Sequence, residues 1–593
     1  MNSSQRCLVT TALEQTWPSD GPVLFLGEWC RRYSRRDRWG AMDSAVLPYH
    51  WDNRDQLHTD YLYLRQLYED ALPSVALALN AFHGVDHSQR YWRIVIGPWL
   101  SYFIQILFDR WQSIRAAADR ADLGHSITLD IRPEHMVPQD MAEFTEMLLA
   151  DRWNHFIYSE ILRVTGVGPL RPLSENGVAP VPAPRRRSLP LRARRLLKET
   201  LSLIASTLGR QDFFFIDSGI YPQGEIEKEL GQWPTFWASP DLATTAPDWS
   251  RRRHWALPID GGSAFERFLW SMIPSQLPVA YVEGHHELVH RTDRCAWPND
   301  PKLIVTASSH YSSEFFKTWA AGKVEKGAKL VINQHGGHFG IGRWVSNEDH
   351  ELAVADRYFS WGWSRPESAK VVPLPSSKLL KATEQLGSDP AGNLLMVLAS
   401  IPRYSYWMYS LPVAGQMLCY LEDQFRFARS LPCEIRKMLA MRLYRHDLGW
   451  DVEQRVRAAL PDVKLDPSSR TMYDSARRCR LFVATYNATT FLETFAGNVP
   501  TVMFWNPRHW ELRPQAQPHF DRLRDVGLLH DTPESAAGKV AAIWDDVPTW
   551  WAQPDVQEAR RAVCDTYART SPDWRPLWRN ALVDLAHAPS VPT

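Results

Sequence analysis

Short apolar runs alternate with longer segments of helical periodicity along most of the 593-residue chain. Helical spacing of apolar residues is clearest at 57–82, 91–119 and 138–164. Short apolar strands that alternate with helices are typical of a parallel, doubly wound sheet, so the pattern predicts an α/β fold. The runs that predict strands in this half lie at 23–26, 127–131, 213–217, 303–306, 330–333 and 357–361.

A stretch rich in Pro, Ser and Gly interrupts this alternation at 371–393. A chain of this length exceeds what one hydrophobic core holds. We therefore predict a GT-B-like arrangement: two Rossmann-like domains, 1–370 and 394–593, joined by a crossing at 371–393 and facing each other across a ligand cleft. Beyond the crossing, strands are predicted at 394–399, 439–444, 481–484 and 500–504, and helices near 413–430, 535–545 and 554–570.

Two other segments affect the picture of the first domain. Residues 165–196 combine Pro, Gly and Arg without apolar periodicity, which predicts a mobile surface loop. Its basic part, 185–195, would either contact anionic head groups of the inner membrane or remain solvated. The apolar run 94–108 is shorter than the roughly 20 residues of a membrane span, so it predicts a buried helix.

Composition excludes several classes of protein. Lys plus Arg equals Asp plus Glu at 67 each, so no overall field recruits nucleic acid. The seven cysteines are scattered without a CxxC pair, which argues against a disulfide framework or structural zinc and favours a reducing compartment. The first residues lack the pattern of a signal peptide, so we expect a cytoplasmic protein. Since no isolated DxD lies between apolar strands, we expect no metal site and no cofactor.

The strongest chemical signal is ATYNATTFLETFAG at 484–497, which predicts a strand, a loop and a helix. Thr489 and Thr490 at the helix start, with Asn487 before them, would offer N–H and hydroxyl groups to a phosphate. Glu493 follows about one turn later and would reach ribose hydroxyls. An ordinary threonine N-cap explains the pattern equally well.

A glycine-rich segment, NQHGGHFGIG at 333–342, follows the predicted strand 330–333. Gly336 and Gly337 would let the backbone approach a ligand closely, and Gln334 and His335 would be presented at the edge of the sheet that binds ligands. The segment matches neither GxGxxG nor a Walker A loop. His350 and Glu351 follow in the sequence and are expected to line the same cleft.

Two carboxylates follow predicted strands and are candidates for acid/base or nucleophilic chemistry. Glu314 comes after the strand at 303–306, and Glu28 after the strand at 23–26. The alternative for Glu314 is a first-turn carboxylate that the helix dipole favours.

Longer motifs resemble a family of transferases that is found in bacterial O-antigen and surface-polysaccharide gene clusters. The resemblance spans nearly the whole chain. It rests on FLGEWC at 25–30, PYHWDNR at 48–54, SQRYWRIVIGPWL at 88–100, LFDRW at 107–111, FKTWAAGKVEKGAKLVINQHGGHFGIGRW at 316–344, DRYFSWGW at 356–363, RLYRHDLGW at 442–450 and ATYNATTFLETFAGNVPTVMFW at 484–505.

That family is similar to the retaining β-Kdo transferases, which are GT-B enzymes. The resemblance implies a CMP-activated ulosonic acid as donor, bound by the C-terminal half, and a lipid-linked glycan as acceptor. It places Thr489, Thr490 and Glu493 on the nucleotide-binding helix and His335 on the QHGG loop. Relatives carry an Asp-Glu pair where this chain has Ser313 and Glu314, which puts the family's carboxylate nucleophile in question here.

The donor implied by the resemblance carries a carboxylate and a phosphate, so its site must neutralise two anions. Arg442 and His446 are suited to this through charge-assisted hydrogen bonds, although both would also fit a structural role at the end of a strand. Two alternatives stay open: a transferase with an NDP-sugar or CDP-alcohol donor, and a non-catalytic subunit of a polysaccharide assembly complex.

Overall fold

The protein is described by a computed structural model, which covers residues 5–174, 200, 211–234, 237, 239–240, 242, 244–255, 257 and 261–588. Within these residues the chain forms three β-sheets, and every strand pairing in them is parallel. Most of the connections between described strands contain a helix, as is usual for parallel pairing. The predicted α/β class is confirmed.

The first sheet has the strand order β3-β2-β1-β4-β5. Its strands are β1 (Arg6–Val9), β2 (Val23–Phe25), β3 (Ser44–Val46), β4 (Leu123–Leu129) and β5 (Leu170–Leu173). Its helices are Arg36–Trp39, Arg54–His83, Gln89–Ala118, Met141–Met147 and Asp151–Thr165. Helix Gln89–Ala118 contains the apolar run 94–108, whose side chains are almost all buried, so the prediction of a core helix is confirmed.

The second sheet places its strands in sequence order, β10-β9-β8-β7-β6. They are β6 (Phe213–Phe215), β7 (Leu303–Thr306), β8 (Lys329–Asn333), β9 (Arg357–Ser360) and β10 (Val371–Pro373). The helices of this unit are Glu225–Glu229, Trp249–His254, Ala264–Gln276, His285–Asp293, Ser309–Ser312, Glu314–Glu325, Ser346–Val354 and Ser377–Gln385.

The third sheet has the order β13-β12-β11-β14-β15-β16, which is that of a Rossmann fold with a switch point between β11 and β14. Its strands are β11 (Asn393–Val397), β12 (Leu439–Arg442), β13 (Lys464–Leu465), β14 (Cys479–Ala484), β15 (Thr501–Phe504) and β16 (Leu529–His530). The helices that follow β11 are Gln416–Ser430, Cys433–Arg436, Val452–Ala459, Met472–Ala476, Thr489–Ala496, Gln517–Asp525, Pro533–Ile543, Val547–Trp551, Pro554–Tyr567 and Trp574–His587.

Three features differ from the predicted domain plan. The range 1–370 contains two sheets, and the predicted crossing at 371–393 contains β10 and helix Ser377–Gln385. Helix Trp574–His587 returns to the second sheet, where the indole N–H of Trp578 donates to the carbonyl of Pro375 at 2.8 Å. β10 escaped prediction because it is three residues long and ends in a proline, which is tolerated at the edge of a sheet.

The predicted mobile loop at 165–196 is described only in its first part. Residues Leu170–Leu173 are ordered as β5, which pairs with β4 at the edge of the first sheet. The basic stretch 185–195 lies outside the described residues. In the described part of the chain, no helix combines the length and apolarity that crossing a membrane requires.

Candidate active site

The glycine-rich loop after β8 contacts the start of the helix that follows β14. The backbone N–H of Gly337 donates to Thr489 Oγ1 at 3.0 Å. A Cβ on Gly337 would lie 2.7 Å from both the Cα and the N of Thr489, so only glycine fits here. The loop that follows β8 in the second sheet and the helix start that follows β14 in the third sheet are therefore in direct contact.

His338 stabilises the same contact between the glycine-rich loop and the helix start. Its Nδ1 lies 3.0 Å from the backbone carbonyl of Asn487, and its Nε2 lies 3.3 Å from Ser410 Oγ. Burial lowers the pKa of His338 to about 4, so the ring is neutral near pH 7. A neutral ring that faces a carbonyl must carry its proton on Nδ1 and accept a hydrogen bond from Ser410 on Nε2.

The loop holds His335 against the buried carboxylate of Glu351. His335 Nε2 lies 2.9 Å from Glu351 Oε1, which also accepts a hydrogen bond from the hydroxyl of Tyr311 at 2.9 Å. Glu351 belongs to helix Ser346–Val354 and is fully buried. Burial alone would raise the pKa of Glu351, but the neighbouring His335 and His310 lower it to about 2. The carboxylate is therefore ionised at neutral pH and orients the imidazole of His335.

The other nitrogen of His335 is available for chemistry. Nδ1 makes no hydrogen bond within the described residues, and 33% of the His335 side chain is exposed. An imidazole that is held by a carboxylate at one nitrogen and is open at the other is suited to moving a proton at the open nitrogen.

A cavity of about 1300 Å³ opens at the carboxyl edge of the third sheet. It lies beside the switch point between β11 and β14, where open α/β sheets bind ligands. Four of the residues singled out in the sequence line this cavity: Arg442, His446, Thr490 and Glu493.

These four side chains differ in how firmly they are held. Arg442 forms an ion pair with Asp466, and its Nη2 donates to the carbonyl of Arg470 at 2.9 Å. The hydroxyl of Thr490 is 2.5 Å from that of Tyr486.

Glu493 Oε1 accepts from the Tyr473 hydroxyl at 3.2 Å, and burial raises the pKa of Glu493. His446 is exposed on the loop after β12. The cavity is thus polar, with Arg442 and Thr490 fixed and His446 exposed.

Lys378 connects the cavity with the His335 loop and was missed by sequence reasoning. Its Nζ donates to the backbone carbonyl of His335 at 3.2 Å. Burial lowers the pKa of Lys378, and the charge of Glu493 opposes that effect. Lys378 lies in helix Ser377–Gln385, inside the stretch predicted as a crossing, where it had no strand or motif to mark it.

Other predicted binding residues support the loop instead of facing the cavity. Gln334 is buried, and its Oε1 accepts from the backbone N–H of Trp361 and from the indole of Trp363, both at 2.8 Å. Gly336 accepts from Gln334 Nε2 at 2.7 Å. The hydroxyl oxygen of Thr489 accepts the hydrogen bond from Gly337 and keeps its own hydrogen for donation, so phosphate binding by Thr489 stays a prediction.

Asn487 is fully buried beside this contact, and neither polar atom of its side chain has a hydrogen-bond partner within the described part of the chain. Its side chain is therefore held by packing and not by hydrogen bonds.

The two predicted catalytic carboxylates lie elsewhere. Glu314 is buried against Lys317, with which it forms an ion pair, and accepts from the backbone N–H of Met141 at 2.6 Å and from the Tyr281 hydroxyl at 3.0 Å. These partners are residues of the core, and Glu314 is only 2% exposed, which contradicts its candidacy as a catalytic carboxylate. Ser313 is the N-cap of the same helix and accepts from the backbone N–H of Phe316 at 3.2 Å.

Glu28 follows β2 in the first sheet and forms an ion pair with Arg31 at 2.5 Å. It packs close to Gly415 of the third unit, where an added Cβ would come within 3.2 Å of the Glu28 Cβ. Glu28 therefore lies at the junction of the first and third units and makes no contact with His335.

Comparison with known proteins gives one family. The model of a family described as LIC12162 family transferase matches residues 6–582. No curated protein matches the chain. The solved structures that are similar include the crystal structure of Acinetobacter baumannii MurG, with 12% sequence identity and a TM-score of 0.31 over 78% of this chain and 99% of that chain.

Proposed function

The chain belongs to the LIC12162 family of transferases, and from that premise we propose that it is a glycosyltransferase of surface-polysaccharide synthesis. The donor is a nucleotide-activated sugar, and a CMP-activated, Kdo-like ulosonic acid fits the site best. The acceptor is a glycan, carried on a lipid at the cytoplasmic face of the inner membrane. The observation that carries the proposal is a polar cavity at a Rossmann switch point, together with the His335–Glu351 pair, whose loop is joined by Lys378 to Glu493 of the cavity wall.

We assign the nucleotide to the cavity of the third unit. Its volume of about 1300 Å³ exceeds the range of roughly 300–1,000 Å³ that small-molecule pockets usually span, so it has room for nucleotide and sugar together. Glu493 would accept hydrogen bonds from ribose hydroxyls, and Thr490 would donate to the phosphate. Tyr444 is 53% exposed and also lines the cavity, where its ring offers a face for a base.

Two anions of a CMP-ulosonic acid need cationic partners. Arg445 and His446 line the cavity and are exposed, and Lys378 lies beside Glu493 at the rim. Charge-assisted hydrogen bonds from such groups would hold the sugar carboxylate and the phosphate without a bridging metal.

His335 is proposed as the group that moves the proton. During transfer, the bond from the anomeric carbon to the phosphate oxygen breaks with its electron pair, and the acceptor oxygen forms the new glycosidic bond. The acceptor hydroxyl loses its proton as the glycosidic bond forms, and His335 Nδ1 would take that proton, while ionised Glu351 would stabilise the resulting imidazolium. His335 would take the proton of the acceptor hydroxyl whether the sugar is transferred in one displacement or in two displacements through a covalent intermediate.

Calorimetric titration with CMP, UDP and GDP tests the donor class. We expect CMP to bind at least tenfold more tightly than UDP or GDP, and Thr490→Val to weaken CMP binding. Tight binding of UDP or GDP instead would replace the CMP donor with an NDP-sugar.

A turnover assay tests the chemistry. His335→Ala should reduce CMP release from a CMP-ulosonic acid about 10²–10⁴-fold, the usual contribution of a general acid/base, and leave CMP affinity unchanged. The exposed His587→Ala is the matched control. Undiminished turnover in His335→Ala would remove His335 from the mechanism, and no turnover in the wild-type protein would favour a non-catalytic subunit.

A further inference from the structure

A second cavity of about 410 Å³ lies between the first and second units. It is enclosed by the helices Arg54–His83, Gln89–Ala118 and Ser346–Val354, and Met408 of the third unit also lines it. We call it the interhelical cavity. Its polar lining includes Tyr68, Ser101, Ser346, Asp349, His350 and Lys370.

Three buried polar atoms of the interhelical cavity have no hydrogen-bond partner within the described residues. They are the two ring nitrogens of His350 and the hydroxyl oxygen of Ser346. The hydroxyl of Tyr68 interacts with Arg93 and is not counted with them. His350 and Ser346 are only 4% and 6% exposed. An unpaired buried polar group costs about 1–3 kcal/mol, so two such residues on one cavity indicate a polar occupant.

The helix geometry keeps space for these groups. Gly97 lies on helix Gln89–Ala118, and a Cβ there would come within 2.7 Å of both His350 Cε1 and the Tyr68 hydroxyl. The chain thus has a glycine in a helix interior, at a cost of about 1 kcal/mol, where any side chain would displace the two polar groups.

Cations predominate on the walls of the interhelical cavity. Arg65, Arg365 and Lys370 line it, together with the carboxylates Glu69 and Asp349. Arg365 is paired with Glu348 at 2.9 Å, which leaves Arg65 and Lys370 as the cations for a ligand. Glu69 is already engaged by Arg93, through two contacts of 2.6 Å.

The second carboxylate, that of Asp349, also has a hydrogen-bond partner. Asp349 accepts a hydrogen bond from Tyr61, and burial raises the pKa of Asp349 to about 6. Lys370 donates one hydrogen bond to the carbonyl of Leu352 at 3.0 Å and has two further ammonium hydrogens. The charge that the walls of the cavity offer to a ligand is therefore positive.

We propose that the interhelical cavity binds a small hydroxylated anion, namely a sugar acid or a sugar phosphate. Hydroxyls of the ligand pair with His350 and Ser346, and its anionic group pairs with Arg65 and Lys370. The volume is within the range of about 300–1,000 Å³ for small-molecule sites. Such a ligand is either one unit of the acceptor glycan or a free compound.

Occupancy of this cavity would reach His335 through a single helix. Helix Ser346–Val354 carries His350 on the side of the interhelical cavity and Glu351 on the side of His335. The site does not depend on the nucleotide assignment, because none of its lining residues lines the donor cavity.

Binding is tested by calorimetry on the full chain with D-glucuronate, glucose 1-phosphate, glucose and inorganic phosphate as probes. We expect at least one sugar anion to bind at least tenfold more tightly than glucose and phosphate. Ala353→Phe, which fills the cavity from the rim, and Arg65→Gln should each weaken that binding at least fivefold. Arg115→Gln, an exposed arginine on helix Gln89–Ala118, is the matched control.

CMP titration of the same proteins separates this proposal from the proposed function. Unchanged CMP affinity in Ala353→Phe and Arg65→Gln shows that the variants are folded and the two sites distinct. The proposal is overturned if no sugar anion binds, or if binding is the same in both variants as in the control. Competition between the probe and the acceptor identifies a glycan subsite, and its absence identifies a free ligand.

Discussion

The orientation of His335 depends on Glu351, and the ionisation of Glu351 depends in turn on several neighbouring residues. Glu351 is buried without charge compensation from lysine or arginine in direct contact, and it remains ionised because His335, His310 and the hydroxyl of Tyr311 surround it. The sequence places His335 at the end of a strand, and that position is correct. The pairing with Glu351 connects a loop to the following helix through side-chain packing, so the spacing of residues gives no signal for it.

Replacing Glu351 tests this dependence. Glu351→Gln keeps the shape but removes the charge that orients His335, so CMP release should fall about 10²-fold while KM for the donor changes little. Glu384→Gln, an exposed carboxylate on helix Ser377–Gln385, is the control. Turnover within twofold of wild type in Glu351→Gln would show that His335 works without its partner.

The buried His338 should make the free energy of unfolding fall at acid pH. Burial holds the pKa of His338 at about 4, against an ordinary value of 6.5. Between these two pKa values the unfolded chain binds about one more proton than the folded chain. The contribution of neutral His338 to the free energy of unfolding is therefore present above pH 6.5 and is lost as the pH falls toward 4. His338→Asn keeps a donor for the Asn487 carbonyl and should flatten the fall of the free energy of unfolding over this window.

Denaturant unfolding between pH 7 and pH 4 measures that effect, with the exposed His587→Asn as control. Equal pH dependence in His338→Asn and wild type would mean that His338 is protonated in the folded protein.

At the scale of elements, the apolar runs predicted the central strands and missed the marginal ones. β7, β8, β11 and β14 are apolar over most of their length and were found. β13 is only Lys464–Leu465, too short to show a pattern, and it is a strand only because β12 pairs with it. The predicted helix start at Thr489 is confirmed, and the glycine loop contacts it, whereas phosphate binding there stays a prediction.

Gly337→Ala tests the contact between the loop and that helix. The added methyl would meet the backbone of Thr489 at 2.7 Å, so we expect destabilisation of about 1–3 kcal/mol and a loss of CMP release. Gly322→Ala is the control, because its Cβ meets nothing within 4 Å in a helix interior, and it should be neutral or stabilising by up to about 1 kcal/mol. Equal thermal stability of the two variants would contradict the close approach.

For the whole molecule, buried ion pairs hold the three units together. Arg54 of the first unit forms two contacts with Glu511 of the third, at 2.7 and 2.8 Å. Glu348 of the second unit is buried between Arg365 at 2.9 Å and Arg513 of the third unit at 2.7 Å. The pairs Arg54–Glu511 and Glu348–Arg513 join residues that are far apart in the sequence, which explains why sequence patterns predicted the sheets but not the presence of a separate first unit.

A double-mutant cycle on Arg54→Gln and Glu511→Gln measures one of these connections. We expect a coupling free energy of about 1–3 kcal/mol, since both side chains are mostly buried and paired at both oxygens. The exposed pair Arg457 and Glu453 should give about 0.2–1 kcal/mol. Similar coupling in both cycles would show that the first unit is not locked onto the third through Arg54.

A crystal structure of the protein with CMP decides whether the proposed active site is correct. We expect CMP to occupy the cavity of the third unit, with its phosphate within hydrogen-bond distance of Thr490. CMP bound anywhere outside this cavity would contradict the proposed active site.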